Sequence, residues 1–128
     1  MATIKKLSFN EACKKTGRNP AKALPHAKPA NSEQEADNAI KRIEIYHEAY
    51  NMVRGKKWKV DYGNSDQAKW WAWFRYDSSL RAFVFFITYD VYTYAIAGTG
   101  SRLVSRTSDI AEHIGRAHID DWNKWLKD

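Results

Sequence analysis

At 128 residues the chain has the length of one domain, enough to bury a hydrophobic core. Hydrophobic residues make up 44% and charged residues 28%, an ordinary balance for a soluble protein, and no apolar run approaches the ~20 residues that cross a bilayer. The formal charge of +6 resides in residues 1–31, with seven basic residues and one acid; residues 32–128 carry 14 of each sign.

A basic N-terminal segment fits contact with nucleic acid or an acidic partner, and it also fits a plain solvated surface. The opening MATIKKLSF lacks an apolar h-region, so no secretory signal is expected and the expected compartment is cytoplasmic. One cysteine, Cys13, excludes an internal disulfide and a Cys-rich metal site. Set between alanine and two lysines, it reads as a small buried apolar residue rather than a nucleophile.

Ser8 followed by Glu11 is a reciprocal capping pattern, so a short helix is expected there with Phe9, Ala12 and Cys13 on one face and Gly17 as its stop. Asn19-Pro20 offers a second, one-turn helix ending before Pro25. Residues 25–31 read as a surface linker, with His26 solvated in it. Ser32 and Glu35 repeat the capping pattern and predict a helix from Glu33 to Arg54, ended by Gly55. Its apolar stripe is Ala36, Ala39, Ile40, Ile43, Tyr46, His47, Tyr50 and Val53. Glu44 and Glu48 flank His47, which reads as a partly buried structural histidine. Lys56, Lys57 and Lys59 surround Trp58 in a basic corner. Trp58–Tyr62 alternates like a short edge strand, and Gly63–Asp66 is turn chemistry.

Trp70–Tyr94 holds 11 of the 18 aromatic residues in 25 positions. Strands are predicted at Trp70–Tyr76, Arg81–Thr88, Val91–Ala97 and Ser101–Ser105, joined by turns at Asp77–Ser79, Tyr89-Asp90 and Gly98–Gly100. Thr107 or Ser108 caps a last helix running to Lys127. His113 and His118, five apart on it, point in different directions. The expected fold class is thus α+β. An antiparallel sheet of three to four strands is packed by the long helix and the C-terminal helix, in a single domain over 1–128 whose residues 1–31 form a basic short-helix segment.

No phosphate-binding glycine loop, GxSxG, HExxH or carboxylate pair is present, so neither a reaction class nor a cofactor or metal is indicated. An enzyme would need Glu44, His47 and His118 to meet in one pocket. Aromatic contacts to a macromolecule would fall to Trp70, Trp71, Trp73, Tyr92 and Tyr94. Contacts to nucleic acid would fall to Lys56, Lys57, Lys59 and Arg102 with aromatic stacking.

Four segments together resemble one family. They are SFNEACKKTGRNPAKALP from Ser8; NAIKRIEIYHEAYN, from Asn38, with KWKVDYGNSDQAKWWAWF following; YDVYTYA; and GSRLVSRTSDIAEHIGRAHIDDW from Gly100. In this order and spacing the chain is similar to a family of small uncharacterised proteins of phages and prophages of Bacteroidetes. It departs from the pattern with Ala72 in place of proline and Val104 in place of cysteine. The resemblance implies a phage-like origin in a bacterial host and carries no mechanism. The expected function is non-enzymatic binding of another macromolecule, a host, defence-system or phage protein. The alternative is a nucleic-acid-binding accessory role through the basic N-terminus and the aromatic strands.

Overall fold

The computed structural model describes residues 4–95 and 100–127. Four helices, α1 (Phe9–Lys15), α2 (Ser32–Asn51), α3 (Ser108–Ala117) and α4 (Ile119–Leu126), accompany a hairpin of β1 (Lys69–Asp77) and β2 (Ala82–Val91), and a 3₁₀ turn spans Gly100–Leu103. The α+β class is as expected. No helix among the described residues is long and apolar enough to cross a membrane.

Local chemistry sets most helix ends. Ser8 Oγ accepts from the Glu11 amide at 3.1 Å and Glu11 Oε1 accepts from the Ser8 amide at 3.0 Å, the reciprocal cap read from sequence. Thr107 caps α3 by accepting from the Ile110 amide at 3.1 Å. The cap of α2 lies one residue earlier than expected, at Asn31, whose Oδ1 accepts from the Gln34 amide, while Gln34 Oε1 reaches back to the Ala30 amide. Asn19 and Pro20 form a turn instead of a helix, because Asn19 Oδ1 takes the Ala21 amide. His26 is half-buried rather than fully solvated, since its ring meets Asp37 at 2.9 Å.

The helix α2 stops at Asn51, short of Gly55. Arg54 and Gly55 both have positive φ, at 52° and 76°, and Val53 and Lys56 exchange two backbone hydrogen bonds across them. This is the primed turn that an X-Gly pair favours, so Gly55 serves a tight turn and not a helix stop. Residues 45–47 and 49–51 are all buried, so the C-terminal half of α2 is covered nearly all round. Ile45, off the expected stripe, is fully buried, and Val53 is exposed.

The sheet has two strands among the described residues, not three to four. β2 runs through Tyr89 and Asp90, which pair with Trp71 and Trp70. Nothing in that dipeptide breaks the ladder, so the expected link there is strand. The ladder ends where Lys69, fully buried, donates its ammonium to the carbonyls of Asn64, Gln67 and Tyr92. Residues 92–95 are irregular, and the rest of the expected third strand, with the Gly98–Gly100 turn up to Thr99, lies outside the described residues. The expected fourth strand is the 3₁₀ turn, which buries Leu103 and leaves one bridge, Trp70 to Ser105, with both hydrogen bonds at 2.9 Å. Trp58–Tyr62 forms no strand; Gln67 instead brackets that segment, accepting from the Asp61 amide and donating to the Lys59 carbonyl.

Helix α3 lies on the hairpin closely enough that a Cβ on Gly115 would fall 2.7 Å from Phe85. The C-terminal helix breaks at His118, and Trp122 folds back to donate its indole N–H to the Ile114 carbonyl at 3.1 Å.

Three asparagines fasten distant backbone to helices by imitating a backbone partner, two of them holding irregular chain and one a strand. Asn38 accepts from the His26 amide and donates to the His26 carbonyl. Asn51 donates to the Val104 carbonyl at 2.7 Å and accepts from the Arg106 amide at 2.8 Å. Asn123 holds both backbone groups of Phe83, at 2.7 and 2.9 Å, and so covers that stretch of β2. Asn51 is buried, so Asn51→Ala strands two backbone groups at once. It is expected to cost roughly 2–4 kcal/mol in urea unfolding, against under ~0.5 kcal/mol for the exposed Asn10→Ala.

Candidate functional site

Three regions combine polar or aromatic side chains in ways a core alone does not require. The first is buried. The Tyr50 hydroxyl accepts from the Leu7 amide at 2.7 Å, and it meets His118 Nε2 at 2.9 Å and His113 Nε2 at 3.3 Å. With one proton to give and one lone pair left, it donates to one imidazole and accepts from the other. Tyr46 stacks on His118 at 3.7 Å between ring centroids. The two histidines therefore converge instead of diverging, because the helix break at His118 cancels the angular offset that five residues on one continuous helix would give. Burial, reinforced by the charges of Lys6, His113 and His47, pushes His118 down to about 3. Burial first and Lys6 second lower His113 as well.

The second region is a cleft of about 480 Å³ between α2, the 57–60 segment and the 3₁₀ turn. Glu44 and Glu48, one helical turn apart, each sit between two cations. Glu44 meets Lys41 at 3.6 Å and Arg102 at 3.1 Å. Glu48 meets Arg18, and Lys57 at 3.3 Å. Burial alone would raise the Glu48 carboxyl, but the Arg18 hydrogen bond and charge, with Lys57 behind them, hold it below the usual range. Between the two glutamates lies His47, its Nδ1 donating to the Ile43 carbonyl at 2.8 Å. Burial, opposed by that hydrogen bond, brings it down to about 4.

The third region is the hairpin face away from α3. Trp73 is 48% exposed, Ile87 44% and Tyr89 52%, and a bulge opposite Trp73 adds Phe86 at 57%. Trp73 and Tyr89 already stack, with centroids 4.8 Å apart. An apolar hollow of about 310 Å³ adjoins this face, with Trp73 in its wall beside Trp71, Phe74, Trp122 and Trp125.

The residues expected to act divide among these places. Trp73 lies on the exposed face. Tyr92 and Tyr94 are exposed beyond the end of β2. Trp70 is half-buried and tied to Ser105, and Trp71 is a core residue, because the hollow and Leu103 enclose it. Arg102, Lys57 and Lys59 line the cleft, whereas Lys56 is exposed in the turn before it. Glu44 and His47 meet in the cleft; His118 is held by Tyr50 and does not line it. Arg18 and Lys41 were not anticipated there. Lys41 stands three residues before Glu44, a visible pairing; nothing local marks Arg18. No group of three or more His, Cys, Asp or Glu side chains suited to a metal occurs among the described residues.

A scan of protein-family models and searches of curated proteins and of solved structures each found no match to this chain.

The buried imidazoles give stability a definite pH dependence. Their folded values lie below the unfolded 6.5, so the unfolded chain binds the extra protons. Their contribution is complete above pH 6.5 and is lost as pH falls toward 4 and 3. By pH 4.5, His47 and His118 are each expected to cost roughly 2–3 kcal/mol. Urea midpoints measured from pH 7 to 4.5 are expected to fall steadily; a flat profile is the contrary result.

Proposed function

We propose that the chain is a small non-enzymatic protein of phage or prophage origin that acts by binding another protein of the host, a defence system or the phage. The origin rests on the resemblance of its four motif segments. The binding rests on one observation: Trp73, Phe86, Ile87 and Tyr89 lie exposed together on one hairpin face, with Trp73 and Tyr89 already stacked.

A cluster of this kind exposes apolar surface that folding alone would bury, and large aromatics are the residues that dominate protein–protein contact energies. Their prior stacking lowers the ordering cost on association. The adjoining hollow suits an anchoring apolar side chain from a partner, with Trp73 shared between the hollow and the open face. The nucleic-acid alternative in its first form calls for aromatic strands and basic residues on one surface. The cleft that gathers the basic residues includes no residue of β1 or β2 in its wall, which favours the protein-binding reading.

Affinity capture from the bacterial host tests this. A protein partner retained by the tagged wild type after nuclease treatment, lost with Trp73→Ala plus Tyr89→Ala, and kept with Lys57→Ala plus Lys59→Ala is the expected pattern. Both aromatics are about half exposed, so the double variant is expected to fold, as circular dichroism would verify. Capture that vanishes with nuclease and with the lysine pair, but survives the aromatic pair, contradicts the proposal.

A further inference from the structure

The cleft beside α2 has chemistry that the hairpin face does not use. Five basic side chains and two carboxylates line it, a net charge of +3 with His47 neutral. Both carboxylates are satisfied by cations, and Lys59 has no carboxylate partner among the described residues. Charge of one sign in a walled hollow concentrates an anion of the other.

Two further groups narrow the anion. His47 is buried in the lining, and its Nδ1 is committed to the Ile43 carbonyl, so in the neutral ring Nε2 bears the lone pair. No protein donor reaches that nitrogen among the described residues. An unpaired buried acceptor calls for a donor on the ligand. Trp58, half-buried, contributes an aromatic ring to the wall, and planar bases stack on such rings.

An anionic group, a hydrogen-bond donor and a flat aromatic body together describe a nucleoside phosphate. The volume, about 480 Å³, is in the range of small-ligand pockets and suits one such unit. We infer that this cleft is a binding site for a free mononucleotide. Lys59, Arg102 and Lys57 face its phosphate, Trp58 its base, and His47 Nε2 accepts from an amino or hydroxyl group. The four cations already engaged by glutamates are held in place before the ligand arrives, which limits the ordering cost of binding.

Titration calorimetry at 50 mM salt with adenosine 5′-monophosphate, inorganic phosphate and adenosine tests the assignment. The monophosphate is expected to bind saturably and at least fivefold tighter than either fragment, with affinity falling as salt rises. Lys59→Ala plus Arg102→Ala, both exposed side chains, is expected to weaken it at least tenfold. Lys15→Ala plus Lys22→Ala, exposed and outside the cleft, is expected to leave it within twofold. No saturable binding at 5 mM, phosphate binding as tightly as the nucleotide, or equal losses in the two double variants would overturn the inference. A ten-nucleotide single strand binding tenfold tighter than the monophosphate would also overturn it, since the site would then belong to a polymer.

Discussion

The fold depends on satisfying polar groups that α2 carries into the interior. His47, Tyr50 and Asn51 are buried at one end of this helix, and Asn38 near the other. An unpaired buried polar atom costs more than a made hydrogen bond contributes, so Asn38, Tyr50 and Asn51 each dictate where something else must go, while His47 is satisfied at Nδ1 within its own helix. Tyr50 draws in the irregular N-terminal segment at Leu7 and both helices around His118. Asn51 fixes the chain at 104–106, which in turn bridges β1 through Ser105. Arg106 reaches back to the Asn51 carbonyl and helps close the end of α2. Apolar packing of Ile43, Ile114, Trp122 and Trp71 supplies the bulk of the burial; the polar contacts select one arrangement of it.

That arrangement leaves two surfaces with different characters. A two-stranded hairpin has two faces, and α3 packs on one; on the other Trp71 is buried, while Trp73, Ile87 and Tyr89 remain in solvent. The cleft forms on a separate flank, where α2 turns its glutamates outward and the Lys57–Val60 segment passes close by. The aromatic residues of the hairpin are thus separated from the basic residues of the cleft, where Trp58 is the one aromatic residue in the wall among the described residues. The hairpin face suits a broad partner, and the cleft suits something small and anionic.

Features set by neighbouring residues were legible in the sequence. The Ser8–Glu11 cap, the Thr107 cap, the Asp77–Ser79 turn and the burial of Cys13 depend on chemistry within a few positions. Features set by partners far along the chain were not. Alternation over 92–95 and 101–105 satisfies a strand pattern, but a strand also needs a free ladder. The Lys69 ammonium ends that ladder at Tyr92, and Leu103 is buried from a 3₁₀ turn just as well as from a strand. The break at His118 carries no glycine or proline, and arises from tertiary contacts: Trp122 folding onto Ile114 and Asp121 pairing with Arg42 at 2.8 Å. The cleft draws on residues from four separate stretches, and only the Glu44–His47–Glu48 spacing on one helix hinted at it.

The most direct check on the organising role of the buried polar groups is the state of the imidazoles themselves. Nitrogen-15 NMR of the folded protein at pH 5 reads protonation and tautomer ring by ring. His47 and His118 are expected to be neutral there, because burial lowers both, and the His47 proton is expected on Nδ1, which donates to the Ile43 carbonyl, with Nε2 bare. Imidazolium shifts for either residue at pH 5 in the folded protein, titrating with the ordinary midpoint near 6.5, would contradict it.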